Sequence, residues 1–137
     1  MHVNDTHGHV AAVEMPIHYK KRKMYLDVGG FPRLATKVTA VRKNERPSLL
    51  LHAGDVFQGT LYFTRYQGVA DAELMNLVGF DAMVLGNHEF DKGSEVLAHF
   101  IRTVKFPVLA ANIDFSNHTE LQGLIVPQVV KQFDGDR

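Results

Sequence analysis

Cysteine is absent from the 137 residues. That excludes disulfides, thiolate metal ligands and a cysteine nucleophile, and it leaves any metal to His, Asp, Glu or Asn. Net charge is absent too: Lys plus Arg and Asp plus Glu number 15 each, so no overall field draws the chain to a nucleic-acid polymer or an anionic membrane. No apolar run approaches the roughly 20 residues of a membrane span. The first residues lack the basic and apolar regions of a signal peptide, so the sequence itself names no location. Sequence repeats and low-complexity tracts are missing as well. What is present, at 45% hydrophobic residues, is enough apolar material to bury the core of one domain or a large part of one.

Three short apolar runs each end in a polar turn. His2 to Asn4 leads into Asp5-Thr6-His7-Gly8-His9, Ser48 to Ala53 into Gly54-Asp55, and Ala82 to Leu85 into Gly86-Asn87-His88-Glu89-Phe90-Asp91. An apolar run closed by glycine reads as a buried strand ending in a turn. Because α/β sheets place their ligands at the carboxyl ends of strands, the three turns are expected to share one site. A fourth run, Val108 to Ala111, ends in Asn112.

Helical periodicity fills the gaps. Phe31, Leu34, Val38 and Val41 predict one helix. Val69 to Val78 predicts another, with Val69, Leu74, Leu77 and Val78 inward and Gly79 as its stop. A third is predicted after a Ser94 cap, with Val96, Leu97, Phe100, Ile101 and Val104 inward and Pro107 beyond its end. Strand, polar turn and helix thus recur, which predicts an α/β fold with a mostly parallel sheet and crossover helices.

The remaining segments carry weaker signals. Residues 10–28, with Pro16 and the basic run Lys20-Lys21-Arg22-Lys23, read as an irregular surface connection, and Gly29-Gly30 as a plain entry to the first helix. Tyr62, Phe63 and Tyr66 read as core or loop packing. Leu124 to Phe133 reads as a strand followed by an Asp134-Gly135 hairpin turn whose returning strand is missing. Residues 1–137 are therefore expected to be the N-terminal portion of a single, longer catalytic domain, with exposed sheet edges that promote association.

The polar turns suit metal chemistry. Asp5 and His7, two apart, fall on one face of an extended segment and grip one ion together. Asp55 brings two oxygens that are able to bridge a pair of ions, and Asn87 a neutral carbonyl oxygen; this mixed shell fits Zn, Mn, Co, Fe or Mg. Two divalent ions about 3.5–4 Å apart clamp a phosphoryl group and acidify a shared water. His88 would stabilise charge on the substrate, with Asp91 fixing its tautomer.

In this form Asp5-x-His7, Gly54-Asp55 and Gly86-Asn87-His88-Glu89 resemble the first three motifs of the calcineurin-like metallophosphoesterases. Asn4 to Gly8, Ala53 to Thr60 and Gly86 to Asp91 are similar to the 5'-nucleotidase and UDP-sugar hydrolase branch. The resemblance implies a four-layer α-β-β-α sandwich, here partial and truncated at its C-terminus. It also implies hydrolysis of nucleoside 5'-monophosphates or UDP-sugars, and a periplasmic, secreted or cell-surface location. Carried over by position, Asp5 and His7 hold the first metal, Asp55 bridges, Asn87 holds the second, and His88 with Asp91 forms the catalytic pair; Glu89 marks the branch without a chemical role. The family's later motifs, a lone His and then Gly-His-x-His, do not occur here, so low turnover is expected of this chain alone. A cyclic-nucleotide phosphodiesterase of the same fold and a non-catalytic fragment or interaction module are the alternatives.

Overall fold

The computed structural model describes residues 1–133. Its main sheet is built from β1 (His2–Val3), β4 (Leu51–His52), β5 (Ala82–Val84), β6 (Val108–Leu109) and β7 (Ile125–Val126). They lie side by side in that order, and every neighbouring pair is parallel. The crossovers are α1 (Phe31–Asn44), α2 (Leu61–Tyr66) with α3 (Val69–Val78), and α4 (Ser94–Thr103). Each crossover steps to the next strand in the same direction, so right-handed connections put all the helices on one face of the sheet.

Register separates the two faces. Val3, His52, Met83, Val108 and Ile125 align across the sheet and point under the helices, where Met83 and Val108 join Val38, Met75, Leu97 and Phe100 in the core. Phe57 anchors the end nearest the polar turns, with ring centroids 4.9 Å from Phe63 and 5.2 Å from Phe100. Burying each such ring is worth roughly 1.5–3 kcal/mol. The opposite face is barer: Leu51, Val84 and Val126 remain 39%, 41% and 38% exposed. The described residues therefore build two layers, the parallel sheet and the helices over one of its faces.

The other end of the sheet is tied by one cation. Arg42, near the end of α1, donates to the carbonyls of Val78 and Gly79 at the end of α3, and to Asp81 at 2.9 Å. Asp81 also accepts the N–H of Leu50. Gly79, at φ 81°, ends α3 in the left-handed region that glycine enters without strain.

Several expectations need correction. Residues 10–28 are not irregular: β2 (Val13–Tyr19) and β3 (Arg22–Val28) form an antiparallel hairpin, with Lys20 and Lys21 as its turn. Both turn residues have positive φ, 46° and 63°, the geometry that suits the twist of a two-residue hairpin turn although lysine is an unusual occupant. Pro16 is tolerated because a two-stranded ribbon consists only of edges. Leu77 does not face inward but is 81% exposed, and the buried stripe of α3 is Asp71, Ala72 and Met75. Ser94 does not cap α4; Gly93 holds that position without a side-chain bond. Phe63 is core, as expected, but it lies in α2, where Tyr62 and Tyr66 stay exposed. Of the run 124–133 only Ile125–Val126 is strand, and the Asp134-Gly135 turn lies outside the described residues.

Candidate metal and active site

The three polar turns meet at one edge of the sheet, and backbone bonds continue beyond the strands to hold them there. Asp5 N–H donates to Gly54 at 3.0 Å, His7 N–H to Asp55 at 3.2 Å and Gly8 N–H to Val56 at 2.9 Å. This path forces Asp5, His7 and Asp55 to φ of 52°, 44° and 59°. Non-glycine residues avoid that region unless the surroundings impose it, and such strain gathers at functional sites. The second and third turns touch so closely that a Cβ on Gly86 would collide with the Asp55 side chain and lie 2.7 Å from its amide nitrogen.

Glu89 lies beneath this contact. It is fully buried, and its carboxylate accepts four backbone N–H groups: Asp55 at 3.0 Å and Gly86 at 2.6 Å on Oε2, Val56 at 2.7 Å and Phe57 at 3.3 Å on Oε1. His52 provides another tie. Its Nδ1 accepts the Gly54 N–H at 3.1 Å, so Nε2 carries the hydrogen and donates to Thr6 Oγ1 at 3.1 Å. Burial pushes His52 down to about 4, against smaller opposing effects of Asp5 and Asp55, so the ring is neutral at physiological pH. The buried position of His52 before the Gly-Asp turn is thus a link between the first two turns.

One nitrogen of each histidine that faces the site is already committed. His7 Nδ1 lies 2.9 Å from the Phe57 carbonyl, which only an N–H satisfies, so Nε2 keeps its lone pair. His88 Nδ1 lies 2.6 Å from Asp91, and Gln58 donates to the same carboxylate oxygen at 2.8 Å. The Asp91 hydrogen bond raises His88 above its ordinary value, while the bonds from His88 and then Gln58 hold Asp91 below the usual carboxylate range. His88 N–H also donates to Asp55 Oδ1 at 3.0 Å.

His7, Asp55 and His88 each offer a ligand atom within 4.8 Å of the others. Asp5 adjoins them, its Oδ1 3.7 Å from His7 Nε2, and Asn4 donates to its other oxygen. Asn87 is exposed at the head of a short 3-10 turn, His88–Phe90, and does not use its side chain to cap it. The His7 nitrogen with the carboxylates of Asp5 and Asp55 has the make-up of a divalent-metal shell, and His88 brings a second imidazole to its edge. Beside it a cleft of about 460 Å³ is lined by Asn4, Asp5, Thr6, His9 and the Gly29-Gly30 entry to α1.

The profile of the calcineurin-like phosphoesterases matches residues 1–135. The chain belongs to that family. Among curated phosphoesterase relatives, the 5'-nucleotidase of Rattus norvegicus is 45% identical over 139 residues, covering 99% of this chain and 24% of the relative. The structure of Haemophilus influenzae NAD nucleotidase superposes with a TM-score of 0.91 at 39% identity, covering 98% of this chain and 24% of that one. A 5'-nucleotidase precursor from Thermus thermophilus gives 0.89 at 43% identity, with coverage of 99% and 26%. The chain thus spans about a quarter of the length of these phosphoesterases.

Two positions have roles that the sequence pattern does not reveal. Glu89, expected to have no chemical role, is a buried carboxylate that collects the free amides of the turns. Gln58 orients Asp91, and its place two residues before the Thr60 cap of α2 gave no hint of that contact. His2, His18, His99 and His118 are exposed.

Proposed function

We propose that this chain forms residues 1–137 of one longer catalytic domain. It would supply part of a metal-dependent phosphoesterase centre that hydrolyses nucleoside 5'-monophosphates or nucleotide sugars. The convergence of His7, Asp55 and His88, each with a ligand atom within 4.8 Å of the others, carries the reading. Asp5 and His7 would hold a first divalent ion, Asn87 a second through its side-chain oxygen, and Asp55 would serve both. Bound metal would supply Lewis acidity and a water acidic enough to serve as nucleophile near neutral pH.

The chain's own residues do the rest. The Phe57 carbonyl fixes the His7 tautomer that presents Nε2 to the ion. Asp91, oriented by Gln58, holds the Nδ1–H of His88 and favours its protonated form, whose Nε2–H would donate to phosphoryl or leaving-group oxygen and stabilise its charge. The family likeness supports an exported or surface location for the longer protein. The outer edges β1 and β7 are candidates for association, which sedimentation over a range of concentrations tests.

The deciding experiment is Mn²⁺ binding to this chain by calorimetry, paired with phosphate release from AMP, UDP-glucose and a cyclic nucleotide by the chain and by its longer parent. Mn²⁺ uptake, with turnover of AMP or UDP-glucose in the parent and little in the chain alone, is expected. Turnover confined to the cyclic ester would instead assign a phosphodiesterase, and no metal uptake by either would defeat the reading.

A further inference from the structure

The hydrogen bonds of Glu89 join the second and third site turns and reach the first through Phe57, always at backbone groups rather than at the proposed ligand atoms. Its amide partners are Asp55 itself, the two residues that follow it, and Gly86, which immediately precedes Asn87. One of those two followers, Phe57, turns its carbonyl to His7 Nδ1. A single side chain thus ties the bridging carboxylate, the Asn87-His88 turn and the residue that orients His7.

Glu89 cannot itself be a ligand in this arrangement. Both oxygens are occupied by backbone donors and the residue is 0% exposed. Nor is its place interchangeable with a similar polar residue. A carboxylate offers about four lone-pair sites, matching four N–H donors, whereas an amide would aim its own NH₂ at two of them. A shorter carboxylate would fall about 1.5 Å short, one carbon–carbon bond. The space for the contact exists only because Gly86 lacks a Cβ, which would meet Asp55.

We propose that Glu89 is a positioning residue: it sets the spacing between the Asp55 loop and the Asn87-His88 turn, and so decides whether both grip metal together. The metal half of this statement rests on the proposed function; the spacing half does not. Buried donors left without a partner reopen the loop, and loss of such an outer hydrogen-bonding group typically lowers metal affinity about 10–100-fold.

The test compares the 137-residue chain with its Glu89→Gln and Glu89→Asp variants, at a temperature where circular dichroism shows all to be folded. Amide hydrogen exchange is followed by NMR, and Mn²⁺ alone is the calorimetric probe. Exchange at Asp55, Val56, Phe57 and Gly86 is expected to accelerate at least about tenfold with α4 amides unchanged, and Mn²⁺ affinity to fall about tenfold or more. Unchanged exchange at those four amides overturns the proposal. So does faster exchange with Mn²⁺ affinity within about twofold of wild type, a result expected of a purely structural residue. If Glu89→Gln fails to fold, Glu89→Asp carries the comparison with the same criteria. A wild-type chain that takes up no Mn²⁺ defeats the metal reading of the proposed function, and the exchange result then decides the spacing role by itself.

Discussion

Asp71 is fully buried in the first turn of α3, and among the described residues neither carboxylate oxygen has a hydrogen-bond partner on another residue. Burial pushes its carboxyl up from 3.8 to about 6, with its own backbone amide and the charge of His9 opposing only in part. At about 1.4 kcal/mol per pH unit, ionising this group costs the folded state about 3 kcal/mol. The direction follows from linkage. Below pH 3.8 both states are protonated and nothing is lost, and between 3.8 and about 6 the unfolded chain ionises first, so stability falls as pH rises. Asp71→Asn keeps the shape of the side chain and cannot ionise. It is expected to be about 2–3 kcal/mol more stable than wild type at pH 7.5, a sizeable share of the roughly 5–15 kcal/mol typical of a domain. The two chains should converge near pH 3.5. Urea denaturation of both between pH 3.5 and 7.5 reads the gap directly. A gap that does not depend on pH, or an Asn variant less stable at pH 7.5, would refute the reasoning.

A second ionisable core residue, His52, acts in the opposite direction. His52 is held at about 4 against an ordinary 6.5, so as pH falls through that window the unfolded chain takes up a proton that the folded chain refuses. Stability should fall by about 3 kcal/mol there, and His52→Asn should flatten this limb in the same urea series. Asp81→Ala strips the partner from Arg42 and from the Leu50 N–H; it should cost about 1–3 kcal/mol in urea and leave Mn²⁺ affinity unchanged. Asp55→Asn should reduce Mn²⁺ uptake. His88→Gln should keep uptake near wild type while lowering kcat of the longer protein about 10²–10⁴-fold; an empty metal site in that variant would contradict the role assigned to His88.

The parallel sheet and its crossovers were legible because apolar runs alternated with helical periodicity and each run ended in glycine or a polar residue. The meeting of Asp5, His7, Asp55 and His88 was legible for the same reason, since parallel strands bring their carboxyl ends to one edge. The hairpin also left a signal, the alternation of Val13, Met15, Ile17 and Tyr19 answered by Met24, Leu26 and Val28. Pro16 and four consecutive cations obscured it, because both argue against a strand in isolation. In six residues α2 is too short for periodicity to register, and Leu77 was misplaced because the stripe of α3 is centred on small Ala72 and polar Asp71. Glu89 was beyond the reach of pattern: nothing in Gly-Asn-His-Glu says that the last side chain turns inward to collect amides from a segment more than thirty residues earlier.

Strand order along the sheet has a consequence for how the protein is made. Each strand of the main sheet lies beside the one before it in the chain, so a growing polypeptide can add them one at a time without leaving a gap. The residues proposed to hold metal sit at the ends of the first three, β1, β4 and β5. A bound metal ion would therefore act as an early fastener, locking three strands and the helices over them while β6 and β7 are still to dock.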